Sequence, residues 1–400
     1  MIDTDNVVAL NELDISALRD DIDKLIAEGI KNHYKQFKIR KRNGRGFRTI
    51  SAPSPRLKNL QRNLLEILVS KEILWHRHGV YGFKRGKSIA DNALHHRIHD
   101  KLRATAHRRN GNRRVPCRNI LGKKYFFKKL DPKCKADSRY EIQISCPASA
   151  VRVDIRNAFG TIGRTLVTKA FNKYLICSSD DLERIMQICL LDGVLPQGAP
   201  TSPLLLNMAL ADFDLYVRKL IKVKITSRFQ CSIKYSRFAD DIVVTSSVKD
   251  MAPKCIGIIE GVAKFIGLEL KHRKTKIMKR GSGIFITGIN IVNSASHVSV
   301  SRRYRHKVRA AINECARAMD QTSPTWTPDR EKMVNSILGR ISYVDSIDSI
   351  HGTQLLEYAI KRKVLPPDAK IRRHDLNTKK LIVSSDKQER ITLYKGKRNE

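Results

Sequence analysis

Apolar residues change period several times along the chain, and each change marks an element. From Leu13 to Lys31 the positions Leu13, Ile15, Leu18, Ile22, Leu25 and Ile26 keep helical spacing and predict a short amphipathic helix. The stretch "FKIRKRNGRGFRTISAP" then alternates, with Asn43-Gly44 in the middle, which signals a β-hairpin. "SPRLKNLQRNLLEILVSKEIL" returns to helical spacing, with Leu57, Leu60, Leu64, Leu65 and Leu68 on the inner side. "GVYGFKRGKSIADNALHH" reads as a glycine-punctuated loop entering a helix, and the pattern loses any period from Arg97 to Ser145. "SAVRVDI" is a strand, while "TLVTKAFNKYL" and "DLERIMQICLLDG" are helices. "LPQGAPTSPLLLNMALADFDLYVRKLI" is a Pro/Gly loop feeding one long helix. In "YSRFADDIVVTSS" two strand-like runs meet at Asp240-Asp241. A helix over "DMAPKCIGIIEGVAKFIGLEL", strands at "GIFITGINIV" and "HVSVS", and mostly helix from Arg302 to Ile360 complete the pattern.

Composition sharpens this picture. Four hundred residues suffice for one multi-lobed unit or two to three domains, and 41% apolar content supports a sizeable core. The charge is unusual: 77 Lys plus Arg against 39 Asp plus Glu give +38, spread along most of the chain. A surface so charged repels itself and fits a polyanionic partner, nucleic acid ahead of an acidic membrane surface. Arg97 to Ser145 is dense in positive charge for its length, with Arg108, Arg109, Arg113, Arg114, Lys123, Lys124, Lys128 and Lys129 around Tyr125, Phe126 and Phe127. No apolar run approaches the ~20 residues of a membrane span, and the acidic N-terminus lacks the pattern of a signal peptide. Eight cysteines without a C-x-x-C pair read as reduced thiols of a cytoplasmic protein. Cys117, Cys134 and Cys146 with His99 or His107 are a zinc alternative, but no pair has knuckle spacing, so buried thiols are preferred.

Adjacent carboxylates at a hairpin tip repel each other, and a divalent cation offsets that repulsion. Asp154, ending the apolar strand "VRVD", supplies a third carboxylate. Three aspartates on neighbouring strand ends can hold two ions ~3.5–4 Å apart for phosphoryl transfer. A turn aspartate accounts for one such residue, less readily for a pair. Gln197, the close-approach Gly198, Thr201 and Ser202 precede a helix, as suits backbone contact with a nucleotide or template strand. Arg48 and Lys41 could meet a triphosphate, although singly each also reads as surface charge.

In this order, these motifs resemble the palm of a reverse transcriptase, and more narrowly the bacterial retron enzymes. The resemblance rests on "RTISAPSPRLKNLQRNLLEIL", on Asn92-Ala93 with His96, on "QGAPTSP", on Phe238-Ala239-Asp240-Asp241, on "LELKHRKTKIM", on Ile286-Thr287-Gly288 and on "ILGRISYVDSID". It implies an α+β right-hand polymerase: fingers, a palm of antiparallel sheet backed by helices, and a helical thumb. The implied divisions are 1–96 for an N-terminal helix and fingers, 97–145 for a basic insertion, 146–293 for the palm with part of the fingers, 294–362 for the thumb and 363–400 for a basic tail.

The resemblance also implies roles. Asp154, Asp240 and Asp241 would bind two Mg²⁺ ions, with Lys274 near the leaving pyrophosphate. Phe159 would exclude a ribose 2′-OH. Gln197 and Gly198 would line the incoming deoxynucleoside triphosphate, with Arg48 and Lys41 on its phosphates. Asn92, His96, Thr287, Gly288, Arg302, Arg303, Arg305 and Lys307 would contact RNA or DNA. A cognate non-coding RNA would be copied in part from an internal 2′-OH, leaving a satellite DNA joined to RNA, with phage defence and an effector protein as the setting. Three features depart from that pattern: phenylalanine where tyrosine usually precedes the aspartates, the long insertion before Asp154, and the tail. Abortive-infection relatives and a basic RNA-binding protein on an inactive palm remain the alternatives.

Overall fold

The computed structural model describes residues 11–41, 46–70, 79–103, 140–291, 298–320, 328–367, 369, 371–372 and 382–383. The chain divides into two compact units, residues 1–98 with 147–282, and residues 99–146 with 283–400.

In the first unit, β1 (Tyr34–Arg40) and β2 (Phe47–Pro53) pair antiparallel, Tyr34 opposite Pro53 and Arg40 opposite Phe47. The expected hairpin is therefore present, and Arg42, Asn43, Gly44 and Arg45 lie outside the described residues. Helix α1 (Pro55–Ser70) opens on proline, whose missing N–H costs nothing at a helix start, and buries Leu57, Leu60, Leu64 and Leu68. Helix α2 (Ile89–His95) opens on a reciprocal cap between Ser88 and Asp91.

The centre is a four-stranded antiparallel sheet of β3 (Ser149–Asp154), β4 (Ile233–Phe238), β5 (Asp241–Ser246) and β6 (Lys276–Lys279), in the order β6-β3-β5-β4. Register puts Asp154 opposite Asp241, and Asp241 opposite Phe238. Because side chains alternate, one face carries Arg152, Asp154, Asp241, Thr245 and Ser236, and the other Val151, Val153, Ile242, Val244, Tyr235 and Arg237.

Behind the second face lie α3 (Ser202–Ala209), α4 (Ala211–Ile221) and α5 (Met251–Phe265). Phe213, Val217, Ile259 and Ala263 join the sheet's valines in one core, where a fully buried Val, Leu, Ile or Phe contributes ~1.5–3 kcal/mol. The single long helix expected from Ser202 is instead two. Leu210, fully buried, leaves helical geometry at φ −92° and ψ 3°. The bend falls where the chain passes from burial on nearly all sides in α3 to one-sided burial in α4.

The second unit has a three-stranded meander of β7 (Ile284–Ile286), β8 (Ile289–Ile291) and β9 (Val298–Val300). Three helices follow: α6 (Arg302–Asp320), α7 (Pro328–Asp345) and α8 (Ser349–Lys361). Val308, Ile312, Cys315, Ile337, Ile341, Leu355 and Ala359 form their shared core. The described ends of the basic segment, Ile98–Arg103 and Tyr140–Ser145, pair as strands where the sequence shows no period. Its middle, with Arg108, Arg109, Arg113, Arg114, Lys123, Lys124, Lys128, Lys129, Tyr125, Phe126 and Phe127, lies outside the described residues. So do Cys117, Cys134 and His107, while Cys146 is a buried free thiol. Among the described residues no helix is long and apolar enough to cross a membrane.

Candidate active site

Three aspartates stand at neighbouring strand ends, where β3 and β5 end. Asp154 is the last residue of β3 and Asp241 the first of β5, so cross-strand pairing places both side chains on one face. Asp240 sits in the two-residue turn between β4 and β5. Its carbonyl accepts from the Ile155 N–H at 3.0 Å, which ties the turn to the chain just after Asp154. The turn's first residue, Ala239, takes φ 58°, a left-handed conformation that tight hairpins need and glycine usually supplies.

Two of the carboxylates already have cationic partners. Lys274 Nζ lies 2.5 Å from Asp154 Oδ2, and Arg152 Nε and Nη2 each lie 3.1 Å from Asp241 Oδ1. Burial raises the pKa of Asp240, and the charge of Asp154 raises it further, against the pull of Lys274 and Arg48. Burial likewise raises that of Asp241, opposed chiefly by Arg152. Negative charge is thus held where it is costly, and hard oxygen donors are the ligand type that Mg²⁺ takes. The donor chemistry fits a divalent cation. Among the described residues no three His, Cys, Asp or Glu side chains are grouped as ligands around one point.

The sheet's other face carries a set that the sequence reading missed. Arg237 is fully buried. It donates from Nε and Nη2 to both carboxylate oxygens of Asp214 on α4, at 2.8–3.1 Å. Its Nη1 donates to Asn207 Oδ1 at 2.9 Å and to the Ala239 carbonyl at 3.0 Å. Tyr235 Oη donates to Asp214 at 2.5 Å, and Asn207 Nδ2 donates to the Gly82 carbonyl at 2.8 Å. Gly82 lies flush on the turn, where a Cβ would come 2.4 Å from the Ala239 nitrogen. The left-handed Ala239 is therefore clamped by a guanidinium on its carbonyl and by backbone against its amide. The available signals were one arginine inside an otherwise strand-like run, "KYSRF", and one aspartate on the apolar side of "ALADFDLYV".

The remaining residues singled out in the sequence fall in several places. The Gln197 carbonyl accepts from the Ser51 N–H at 2.8 Å, which docks its loop on β2. Gly198 has φ 130°, and a Cβ there would come 2.7 Å from the Ser51 carbonyl, so the approach needs glycine. Phe159 is half-buried and meets Phe83 edge-on at 6.4 Å. Arg48 and Lys41 are exposed, and Arg48 is near enough to act on the charge of Asp240.

Asn92 and His96, expected to touch nucleic acid, are both fully buried. His96 bridges Ser236 Oγ (2.6 Å) and Thr245 Oγ1 (2.9 Å), and burial holds its pKa well below the usual imidazole value. It is an interior strut between α2 and the sheet. In the second unit, Thr287 and Gly288 form the tight turn of the β7–β8 hairpin with φ 48° and 87°. Arg302, Arg303, Arg305 and Lys307 occupy the first turns of α6.

Comparison with known proteins gives a consistent family. The profile described as "Reverse transcriptase (RNA-dependent DNA polymerase)" matches residues 39–291, which contain the three aspartates and Lys274. The Retron Ec73 reverse transcriptase of Escherichia coli is 26% identical over 80% of this chain and 85% of its own length. The Retron Mx65 reverse transcriptase of Myxococcus xanthus is 27% identical over 72% of this chain, which spans only 57% of that protein. Among solved structures, apo telomerase from Candida tropicalis truncated from its C-terminal domain aligns with a TM-score of 0.40 and 14% identity over 67% of this chain and 55% of that one, too loose a likeness to argue from.

Proposed function

Because the chain belongs to the reverse transcriptase family, we propose that it is an RNA-directed DNA polymerase of the retron type, copying part of a cognate structured RNA from an internal 2′-OH. One observation carries the polymerase reading: within the matched region, Asp154, Asp240 and Asp241 lie together at the strand ends of an antiparallel sheet. On this reading the central sheet with its helices is the palm, β1 and β2 belong to the fingers, and α6 to α8 form the thumb.

Asp154, Asp240 and Asp241 would hold two Mg²⁺ ions, which when bound supply charge neutralisation for the attacking and leaving oxygens of phosphoryl transfer. The chain's own residues do the rest. The Arg237 clamp keeps the Asp240 turn in one conformation. Lys274, which lies on Asp154, would turn toward a leaving pyrophosphate once that carboxylate has another cation. Gly198 lets the loop backbone lie close to β2 and leaves a flat approach beside Gln197 for a nucleotide base and sugar. Phe159, stiffened by Phe83, would stand against the 2′ position and reject a ribonucleotide by contact. Arg48 and Lys41 would meet the triphosphate.

The retron part rests on relatives that bear that name, and it brings the satellite DNA, the phage-defence setting and an effector partner as parts of the proposal. The test is to isolate the protein with its native RNA and add labelled deoxynucleotides with Mg²⁺, then with EDTA. Metal-dependent DNA made without added primer, carrying a 2′,5′ branch sensitive to debranching enzyme, is expected. Linear product that always needs a primer would move the protein to another reverse-transcriptase group. No product at all would overturn the polymerase reading.

A further inference from the structure

A short run of chain ahead of α2 links the Asp240 turn to the Phe159 ring. It passes beside β4: Val80 bridges Arg237 in parallel, the Tyr81 N–H donates to the Arg237 carbonyl at 2.9 Å, and the Arg237 N–H donates to the Gly79 carbonyl at 2.7 Å. It then crosses the turn at Gly82, which rests against the Ala239 amide and whose carbonyl accepts from Asn207 on α3. The next residue is Phe83, and its ring meets Phe159 edge-on.

Phe83 is unusual in two ways. Its φ is 57°, a left-handed backbone that a bulky side chain rarely adopts. Its side chain is also 49% exposed, so core packing does not account for a large ring there. A glycine would relieve the backbone, and a polar residue would suit the exposure. Strain of this kind persists where the surroundings over-determine it. Here the fixed points lie just upstream, at Arg237, Asn207 and Ala239, and what the ring gains is Phe159. Phe159 itself stands on a single helical turn, Ala158–Thr161, that starts from a left-handed Asn157 with φ 47°. One helical turn is weak alone, and an edge-on aromatic partner restricts the ring it carries.

We propose that residues 79–83 form a strap that passes the position of the Asp240 turn to the sugar-selecting ring, and that Phe83 and Asn207 are positioning residues for the choice between deoxyribose and ribose. Both act through Phe159. This rests on the polymerase reading, in which Phe159 stands against the 2′ position. The carbonyl of Ala239 is held by the Arg237 clamp and its amide by the strap, so the metal-binding turn and the sugar gate share one support. A shift of that turn then reaches the gate along bonded chain, with Asn207 as the anchor and the Phe83 edge as the contact.

The experiment uses the full chain on a primed RNA template and reads, for each variant, the ratio of kcat/KM for a deoxynucleotide to that for the matching ribonucleotide. Phe83→Gly removes the ring and suits the backbone. It should lower the ratio by about three- to fivefold, less than the change of about tenfold expected of Phe159→Val. Phe83→Tyr keeps the ring edge and should hold the ratio within about twofold of wild type. Asn207→Asp keeps an acceptor for Arg237 but loses the donor to the Gly82 carbonyl, and should lower the ratio with Phe83 in place. Adding Phe83→Gly to Phe159→Val should lower it no further, because residues that act through one another are not additive. Should Phe83→Gly melt well below wild type, Phe83→Asn, which tolerates the left-handed backbone, takes its place. Losses that multiply in the double variant would mean that Phe83 meets the nucleotide itself, and would overturn the strap. So would a wild-type ratio in Phe83→Gly or Asn207→Asp beside an altered one in Phe159→Val. A wild type that extends no primer overturns the polymerase reading, and an unaltered ratio in Phe159→Val overturns the gate; the sugar role of the strap falls with either.

Discussion

The two faces of the central sheet solve opposite problems with the same chemistry. On the helix-backed face, Arg237 and Asp214 are sealed from water and every guanidinium nitrogen has an acceptor. On the other face, Arg152 and Lys274 reach Asp241 and Asp154 from partly exposed positions, with 36% and 43% of their side chains accessible. The first pair cannot exchange partners without unfolding part of the core. The second can give way to another cation. A buried charge with all its bonds made fixes a backbone shape, whereas a rim charge with a long flexible stem keeps a place for something that comes and goes.

The sharpest way to break this contrast is to empty the exchangeable face. Asp240→Asn with Asp241→Asn should lower DNA synthesis by about 10³-fold or more, the scale of losing principal electrostatic groups in a transition state. The same variant should melt higher than wild type in EDTA. A folded-state pKa raised by burial means that folding favours the protonated carboxyl, so stability falls as pH rises through it, and a neutral amide removes that loss. Primer extension and thermal melts at neutral pH read both effects, and synthesis that persists would remove the aspartates from the chemistry.

The fixed face should respond in stability. Arg237→Met strands Asp214 without its partner and should cost about 3–5 kcal/mol in urea unfolding. Adding Asp214→Leu should recover much of that loss. Yet activity should stay low in the double variant, because nothing then holds the Ala239 carbonyl. A double variant with full activity would show that the turn needs no clamp.

Smaller effects separate recognition from positioning. Phe159→Val should raise ribonucleotide incorporation by about tenfold while deoxynucleotide use changes by only about two- to threefold, a size that steric selection at one contact can reach. Unchanged discrimination in single-nucleotide extension would refute the steric role. Smallest of all, Arg152→Gln should shift activity by only a few-fold, in line with the ~0–1 kcal/mol of a rim ion pair. It should also lower the Mg²⁺ concentration giving half-maximal synthesis, since Asp241 no longer has to leave a guanidinium. A higher Mg²⁺ requirement would mean that Arg152 helps the metal rather than competing with it.

Period and motif order made the hairpin at Asp240-Asp241, the strand of Asp154 and the amphipathic helices legible, because alternation and helical spacing are local properties. What stayed hidden depends on tertiary neighbours. The break at Leu210 has no proline or glycine to announce it. His96 looks like a surface ligand in sequence, yet folds inward because Ser236 and Thr245 offer the imidazole two partners, while Asn92 is buried with its amide unpartnered among the described residues. Arg237 reads as one more positive charge among 77 Lys plus Arg, and only its place across from Asp214 separates it from the rest. In a chain so rich in cations, residue type says little about role, and the partner decides.

The order of the strands has a consequence for how this protein is made. The strand ending at Asp154 is central, yet both its neighbours, Asp241–Ser246 and Lys276–Lys279, lie well downstream in sequence. On a ribosome adding ~5–20 residues per second, the first of them arrives ~5–20 s later. During that interval an apolar strand with two open edges waits inside or just outside the exit tunnel. Slowing translation before Ser246 should lengthen the exposure and raise the aggregated fraction, whereas slowing it after Lys279 should not. Codon choice within that window is thus a practical lever on yield that leaves every residue of the finished enzyme unchanged.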